Sequence, residues 1–173
     1  ADDADSLRGI EGSGARAYFA AFPALLAGTA FRFSGRRKRP ATDPINALLS
    51  LGYTLLLAEV RNALHGYGLD PFAGVFHASD GGQPSCALDL MEPLRPLVDR
   101  LAIRLARHVL TPDDFAQQED GACLFKDGRR GAFYRAWEEW LTGRVLWRDE
   151  HRSYRAILHA QAGGWARCLD DPT

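Results

Sequence analysis

The sequence predicts a mainly α-helical fold. Three observations predict it. Apolar residues recur at helical spacing over several long stretches, helix-start and helix-stop residues bracket those stretches, and only one short segment carries strand and turn signals. The 173 residues suit one medium domain, and 46% hydrophobic composition is enough to bury a core.

The first helix is expected from near Leu7, with Asp5 or Ser6 as its cap, through the run LRGIEGSGARAYFAAFPALLAG. Gly9, Gly12 and Gly14 crowd its first turns and suggest a close backbone approach there. Residues 31–42 read as irregular or extended. Thr42-Asp43-Pro44 then reads as a helix start. That second helix should run over 45–65, stop at Gly66 or Gly68, and lie at the centre of the domain because it is apolar on most faces. The stretch GLDPFAGVFHASDGGQPS is a loop. A third helix is expected from Pro84 or Ser85 to about Val109, kinked or restarted by Pro93 and Pro96. A short helix over 112–117 follows, then a strand or hairpin arm in ACLFKDGRR turning at Asp127-Gly128, then helices over 129–142 and 149–169.

Charge and cysteine content limit the function classes. The net charge of −1 announces no nucleic-acid partner by itself, so local charge matters more. Cys86, Cys123 and Cys168 are far apart with no CxxC spacing, which argues against a disulfide framework or structural zinc. They read as reduced thiols of a cytoplasmic protein. No apolar run approaches the roughly 20 residues of a membrane span. The chain begins at Ala1 without a signal peptide, which reads as a fragment, a processed product or part of a fusion. GxGxxG, P-loop, GxSxG and HExxH patterns do not occur.

Four constellations remain. Asp89 and Glu92, at i and i+3, share one helix face beside apolar residues, and Arg95 is one turn on, where it can orient a carboxylate. A solvated acidic face is the plain alternative. His77 sits between apolar flanks; a lone histidine there is more often structural, but with carboxylates it completes a divalent-ion donor set, Mg²⁺ or Mn²⁺. Glu11 lies among the glycines, with Arg8 and Arg16 placed to meet phosphates; alone it reads as a surface glutamate. Arg36, Arg37, Lys38 and Arg39 form a basic run in which Phe31 and Phe33 interleave, as at a nucleic-acid surface, although most charge runs are solvated loops. Glu59 reads as structural, paired with Arg61 or a later arginine.

Taken in order, LRGIEGSGARAYF (7–19), GRRKRPATDPINALLSLGYTLLLAEV (35–60), GLDPFAGVFH (68–77) and PSCALDLMEPLRPLVDR (84–100) resemble the catalytic C-terminal domain of the CRISPR-associated spacer-acquisition integrase, "CRISPR-associated protein one". The resemblance covers most of residues 7–116; the tail, 117–173, matches in helical character and arginine content. It implies a single helical catalytic domain over 1–173, with the family's N-terminal β domain absent.

It further implies a metal-dependent DNA endonuclease and integrase that inserts protospacer DNA into a CRISPR array by 3′-hydroxyl attack on repeat phosphodiesters. By the same resemblance Glu11, His77 and Glu92 are the ligands of Mg²⁺ or Mn²⁺. Asp89 stands beside them, and Glu92 replaces a frequent aspartate. Arg8, Arg16, Arg36, Arg37, Lys38, Arg39 and Arg95 are the expected DNA contacts. Double-stranded DNA and a small second adaptation protein are the implied partners, with a homodimer in the full-length protein. The rival readings are a non-catalytic DNA-binding scaffold of the same fold and an unrelated helical metal-dependent hydrolase.

Overall fold

In the computed structural model of the chain, residues 2–74 and 82–170 are described, those at 2–5, 8 and 170 by their backbone alone. Helices dominate: α1 (Asp2–Leu25), α2 (Pro44–Gly66), α3 (Ser85–Met91), α4 (Arg95–His108), α5 (Arg130–Thr142) and α6 (Tyr154–Asp170). Two antiparallel hairpins interrupt them, β1 (Phe115–Gln117) with β2 (Cys123–Phe125) and β3 (Arg144–Trp147) with β4 (Glu150–Ser153). The mainly α expectation holds. No helix among the described residues is long and apolar enough to cross a membrane.

The chain divides into two compact units, Ala1–Leu51 with Ala102–Phe133, and Gly52–Leu101 with Tyr134–Thr173. In the first, Phe22, Phe33 and Ile45 are buried together with Leu48, Leu105 and Phe133. In the second, Leu56, Val60, Leu64, Met91, Leu141 and Leu158 are buried. α2 is buried along most of its length, as its near-continuous apolar sequence requires.

Local chemistry explains each boundary. α1 begins at Asp2, five residues earlier than expected. It ends where Gly28 takes a left-handed φ of 82°. α2 starts as expected: Asp43 Oδ1 accepts from the Asn46 N–H at 2.8 Å, and Pro44 needs no donor in the first turn. Between α3 and α4 the residues Glu92–Leu94 form one 3₁₀ turn. Pro93 lacks the N–H that would continue α3, and the helix restarts at Arg95, as its prolines predict.

Three expectations are corrected. Residues 112–117 are not a helix: Thr111 and Asp114 close a capping box around one 3₁₀ turn, and the chain leaves it extended at Phe115. Phe115 then pairs across the hairpin with Phe125, their rings 4.4 Å apart. The β1–β2 reversal lies at 118–122, where Gly121 has φ 81°, while Asp127-Gly128 turns the chain into α5. Finally, the helix expected from Asp149 starts only at Tyr154. Arg148 and Asp149 both take positive φ, 49° and 65°, which closes a two-residue hairpin between β3 and β4.

Candidate functional site

The acidic pair is built on a tightly anchored helix start. Ser85, fully buried, accepts a hydrogen bond from the Gly74 N–H at 3.0 Å and donates to the Phe72 carbonyl. Ala87 N–H donates to the Pro71 carbonyl at 3.1 Å. Residues 71–74 are thereby laid against the first turn of α3, three residues ahead of His77. A Cβ on Gly74 would stand 2.5–2.6 Å from backbone and side-chain atoms of Ser85 and Cys86, so only glycine permits this approach. His77 itself lies outside the described residues.

Asp89 and Glu92 follow on α3 and at its end, both half-buried. Glu92 is 29% exposed and forms an ion pair with Arg95 at 2.8 Å. The Arg95 guanidinium sits over the Tyr53 ring, 5.5 Å from its centre, and the Tyr53 hydroxyl donates to Asp99, a carboxylate only 3% exposed. Arg95 is thus held from behind while it holds Glu92. The expected orienting role has a geometry.

The local field is negative. Burial pushes the Cys86 thiol pKa up, and the charges of Asp89 and Asp70 push it further. A cation beside Asp89 and Glu92 would relieve that field, and their oxygens are donors that Mg²⁺ and Mn²⁺ accept. The residues present fit such an ion. Among the described residues no three His, Cys, Asp or Glu side chains gather into a metal set.

Glu11 is exposed on α1, in the first unit. Near it, Arg16 donates to Ser13 Oγ at 3.3 Å, and Ser13 donates to the Gly9 carbonyl at 2.9 Å. Arg8 lies on α1, with its side chain outside the described residues. Added Cβ atoms at Gly9, Gly12 and Gly14 would meet nothing within 4 Å, so no part of the described chain makes a close approach there.

The basic run divides. Arg36 is pinned: its Nη1 donates to Asn46 Oδ1 at 2.8 Å and to the Arg37 carbonyl at 2.7 Å, and its Nη2 to Ser50 at 3.1 Å. Arg37, Lys38 and Arg39 are exposed. Phe31 and Phe33 correct the expectation, because each is only 7% exposed; Phe33 packs on Phe22, with ring centres 5.1 Å apart. They are core residues and offer no stacking surface. Glu59 pairs with a later arginine, as expected: Arg155 reaches both its oxygens at 3.2 Å and Glu138 at 2.9 and 3.1 Å.

Sequence reasoning missed one cluster. Asp89 also lines a cavity of about 720 Å³ with Trp147, Arg148, Trp165 and Arg167 of the β3–β4 hairpin and α6. Its signal in the sequence was the Trp147-Arg148 pair followed by a helix that carries Trp165 and Arg167.

Comparison with known proteins places the chain. The family model "CRISPR associated protein Cas1" matches residues 1–139. A CRISPR-associated endonuclease Cas1 of Rhodospirillum rubrum is 49% identical over 143 residues, 80% of this chain and 42% of that protein. Among solved structures, a casposase bound to integration product has a TM-score of 0.86 at 26% identity, covering 96% of this chain and 48% of that one. A Cas6-RT-Cas1–Cas2 complex has a TM-score of 0.81 at 31% identity, covering 96% of this chain and 18% of that one. The chain spans about half the length, or less, of the curated relatives it matches. It belongs to the CRISPR-associated protein Cas1 family.

Proposed function

We propose that this chain is the catalytic domain of a metal-dependent DNA endonuclease and integrase, which inserts protospacer DNA into a CRISPR array by attack of a 3′-hydroxyl on repeat phosphodiesters. One observation carries the reading: the Cas1 family match over residues 1–139 encloses Glu11, His77, Asp89 and Glu92. The endonuclease name of the Rhodospirillum rubrum relative and the integration product bound by the casposase support the same chemistry. In this reading the domain is single and spans 1–173.

Glu11, His77 and Glu92 are the ligands we assign to Mg²⁺ or Mn²⁺, with Asp89 beside them. Such an ion, when bound, supplies Lewis-acid polarisation of the scissile phosphate and activation of the attacking hydroxyl. The chain's own residues supply position. Arg95 fixes the carboxylate of Glu92, and Ser85 with Gly74 fixes the start of the segment that leads to His77. Arg8, Arg16, Arg37, Lys38 and Arg39 attract and hold the DNA backbone, which makes binding salt-dependent, while Arg36, expected among them, ties their loop to Asn46 and Ser50. Direct attack by a DNA hydroxyl requires no covalent protein intermediate. The setting is the cytoplasm. The partners are double-stranded DNA, a second copy in the full-length protein, and the small second adaptation subunit; the Cas6-RT-Cas1–Cas2 complex supports the last.

The test is strand transfer on a branched DNA substrate in Mn²⁺, comparing the chain with His77→Ala. The reading expects transfer to be lost while DNA binding is retained. Unchanged transfer would sink the assigned site. Equal turnover of a small phosphoester would point instead to a general hydrolase.

A further inference from the structure

Asp99 is a carboxylate that the fold buries. It is 3% exposed on α4 and accepts a hydrogen bond from the Tyr53 hydroxyl of α2. Taking a carboxylate out of water is unfavourable, and an apolar residue of similar volume is often as stable or more so. Stability alone therefore gives no reason for a charge at this position.

The surroundings of Asp99 give one. Glu92, Arg95 and Asp99 stand at i, i+3 and i+7, so they share one face of the helical run that the 92–94 turn interrupts. With Tyr53 they all lie in the second unit. Arg95 Nη2 meets Glu92 at 2.8 Å, and the guanidinium faces the Tyr53 ring, 5.5 Å from its centre. Charge alternates along the row: negative at Glu92, positive at Arg95, negative at Asp99.

The contact that orients Glu92 has an electrostatic consequence. A guanidinium 2.8 Å from a carboxylate offsets most of the negative charge a cation would meet there, and it repels that cation directly. Aim and attraction therefore conflict at Arg95. The Tyr53 ring brings no charge of its own. Asp99, one helical turn beyond Arg95, does, and its burial keeps salt from screening it.

We infer that Asp99 is the buried counter-charge of the metal site, offsetting Arg95 so that Glu92 can be aimed by one cation and still attract another. The inference rests on the proposed place of Glu92 among the ligands of Mg²⁺ or Mn²⁺. It deepens that reading by dividing two tasks, aim at Arg95 and charge at Asp99. The plainer role for Asp99 is to hold the Tyr53 hydroxyl and nothing more. The two roles part at Asp99→Asn, which keeps an oxygen for Tyr53 and removes the charge. Helical rise sets Asp99 roughly 10 Å along the axis from Glu92. Over that distance one unit charge changes the affinity for a divalent ion about 4- to 300-fold, for effective dielectric constants between about 80 and 20.

The test reads ion binding on the whole chain and involves no turnover: Mn²⁺ by electron paramagnetic resonance and Tb³⁺ by luminescence. For Asp99→Asn the inference predicts Mn²⁺ affinity at least about 4-fold weaker, with a logarithmic loss about 1.5 times larger for Tb³⁺, because Coulomb energy scales with the charge of the ion. A disturbed ligand geometry has no such scaling. Tyr53→Phe keeps both the ring under Arg95 and the Asp99 charge, so it should weaken either ion less than about 4-fold; it also serves if Asp99→Asn does not fold. The inference is overturned by a smaller Mn²⁺ loss in folded Asp99→Asn, by equal logarithmic losses for the two ions, or by a Tyr53→Phe loss of about 4-fold or more. Glu92→Gln in the same assay tests the underlying reading. If it binds Mn²⁺ as the wild type does, the ligand assignment fails and the inference with it, whereas failure at Asp99 alone leaves the assignment standing.

Discussion

Glu92 and Arg95 meet at 2.8 Å across the break between α3 and α4. The 3₁₀ turn that Pro93 imposes separates the two helices, yet the i, i+3 spacing still brings the side chains together. Arg95 is backed by Tyr53, and Tyr53 by Asp99, so the carboxylate is aimed by three residues. Arg95→Ala is expected to weaken Mn²⁺ binding and slow strand transfer by about 10- to 100-fold, the usual effect of losing a group that orients a ligand. Arg95→Lys should recover part of both. The Mn²⁺ titration midpoint is the decisive readout, since a merely structural role would lower the melting temperature and leave the midpoint alone.

Gly74 makes the approach that positions the segment before His77. A methyl group there meets the Ser85 and Cys86 backbone, which cannot swing aside as a flexible side chain can. Gly74→Ala is expected to cost about 1–3 kcal/mol of stability and to raise the Mn²⁺ midpoint about 10-fold through His77. Circular dichroism melts and Mn²⁺ titration measure the two effects separately. An unchanged midpoint would detach the 71–74 anchor from the site.

The basic run should behave as two classes. Arg36 donates to Asn46 and Ser50, and Asn46 is fully buried, so Arg36→Ala leaves a buried acceptor short of a donor. Its melting temperature should fall by roughly 3–6 °C, about 1–2 kcal/mol for a chain of this size. Arg37→Ala and Arg39→Ala, at exposed positions, should leave the melt unchanged. Each should lower the slope of log DNA affinity against log salt by about 1. Fluorescence anisotropy over a salt series distinguishes the classes.

Acid should weaken the Arg155 network in a defined window. Hydrogen bonding from Arg155 lowers the Glu138 pKa below its usual 4.5, with the Arg155 charge adding to the effect. A lowered folded-state value means that the interaction stabilises the fold fully above about 4.5 and is lost as pH falls through the lower folded value. The stability difference between the wild type and Glu138→Gln should therefore be constant near neutrality and shrink toward zero below pH 4.5. Urea melts at stepped pH test this; a difference that grows on acidification would contradict the pairing. The effect should be small, because Glu138 is exposed.

The helices were legible because their signals are local: Asp43-Pro44 starts α2, and Pro93 and Pro96 divide α3 from α4. The second hairpin was not, because Arg148-Asp149 is a poor match to the usual Asn-Gly turn, although aspartate tolerates positive φ. Phe31 and Phe33 were misread because their alternation with arginines is equally the pattern of an extended segment with one face on a core. The acidic pair and its orienting arginine were readable from spacing alone. The Gly74 approach and the Trp147–Arg148–Arg167 cavity were not, because they join residues far apart in sequence. The proposed grouping of Glu11 and His77 with Glu92 rests on an ordered resemblance, since each residue alone has a plainer reading.

The central claim is that Glu11, His77 and Glu92 hold one divalent ion. It is tested most directly by titrating Mn²⁺ into the chain and reading free Mn²⁺ by electron paramagnetic resonance, for the wild type and for Glu11→Gln, His77→Ala and Glu92→Gln. The account predicts one site per chain, weakened at least about 10-fold by each substitution. A folded variant that binds Mn²⁺ as the wild type does would remove that residue from the site and contradict the account.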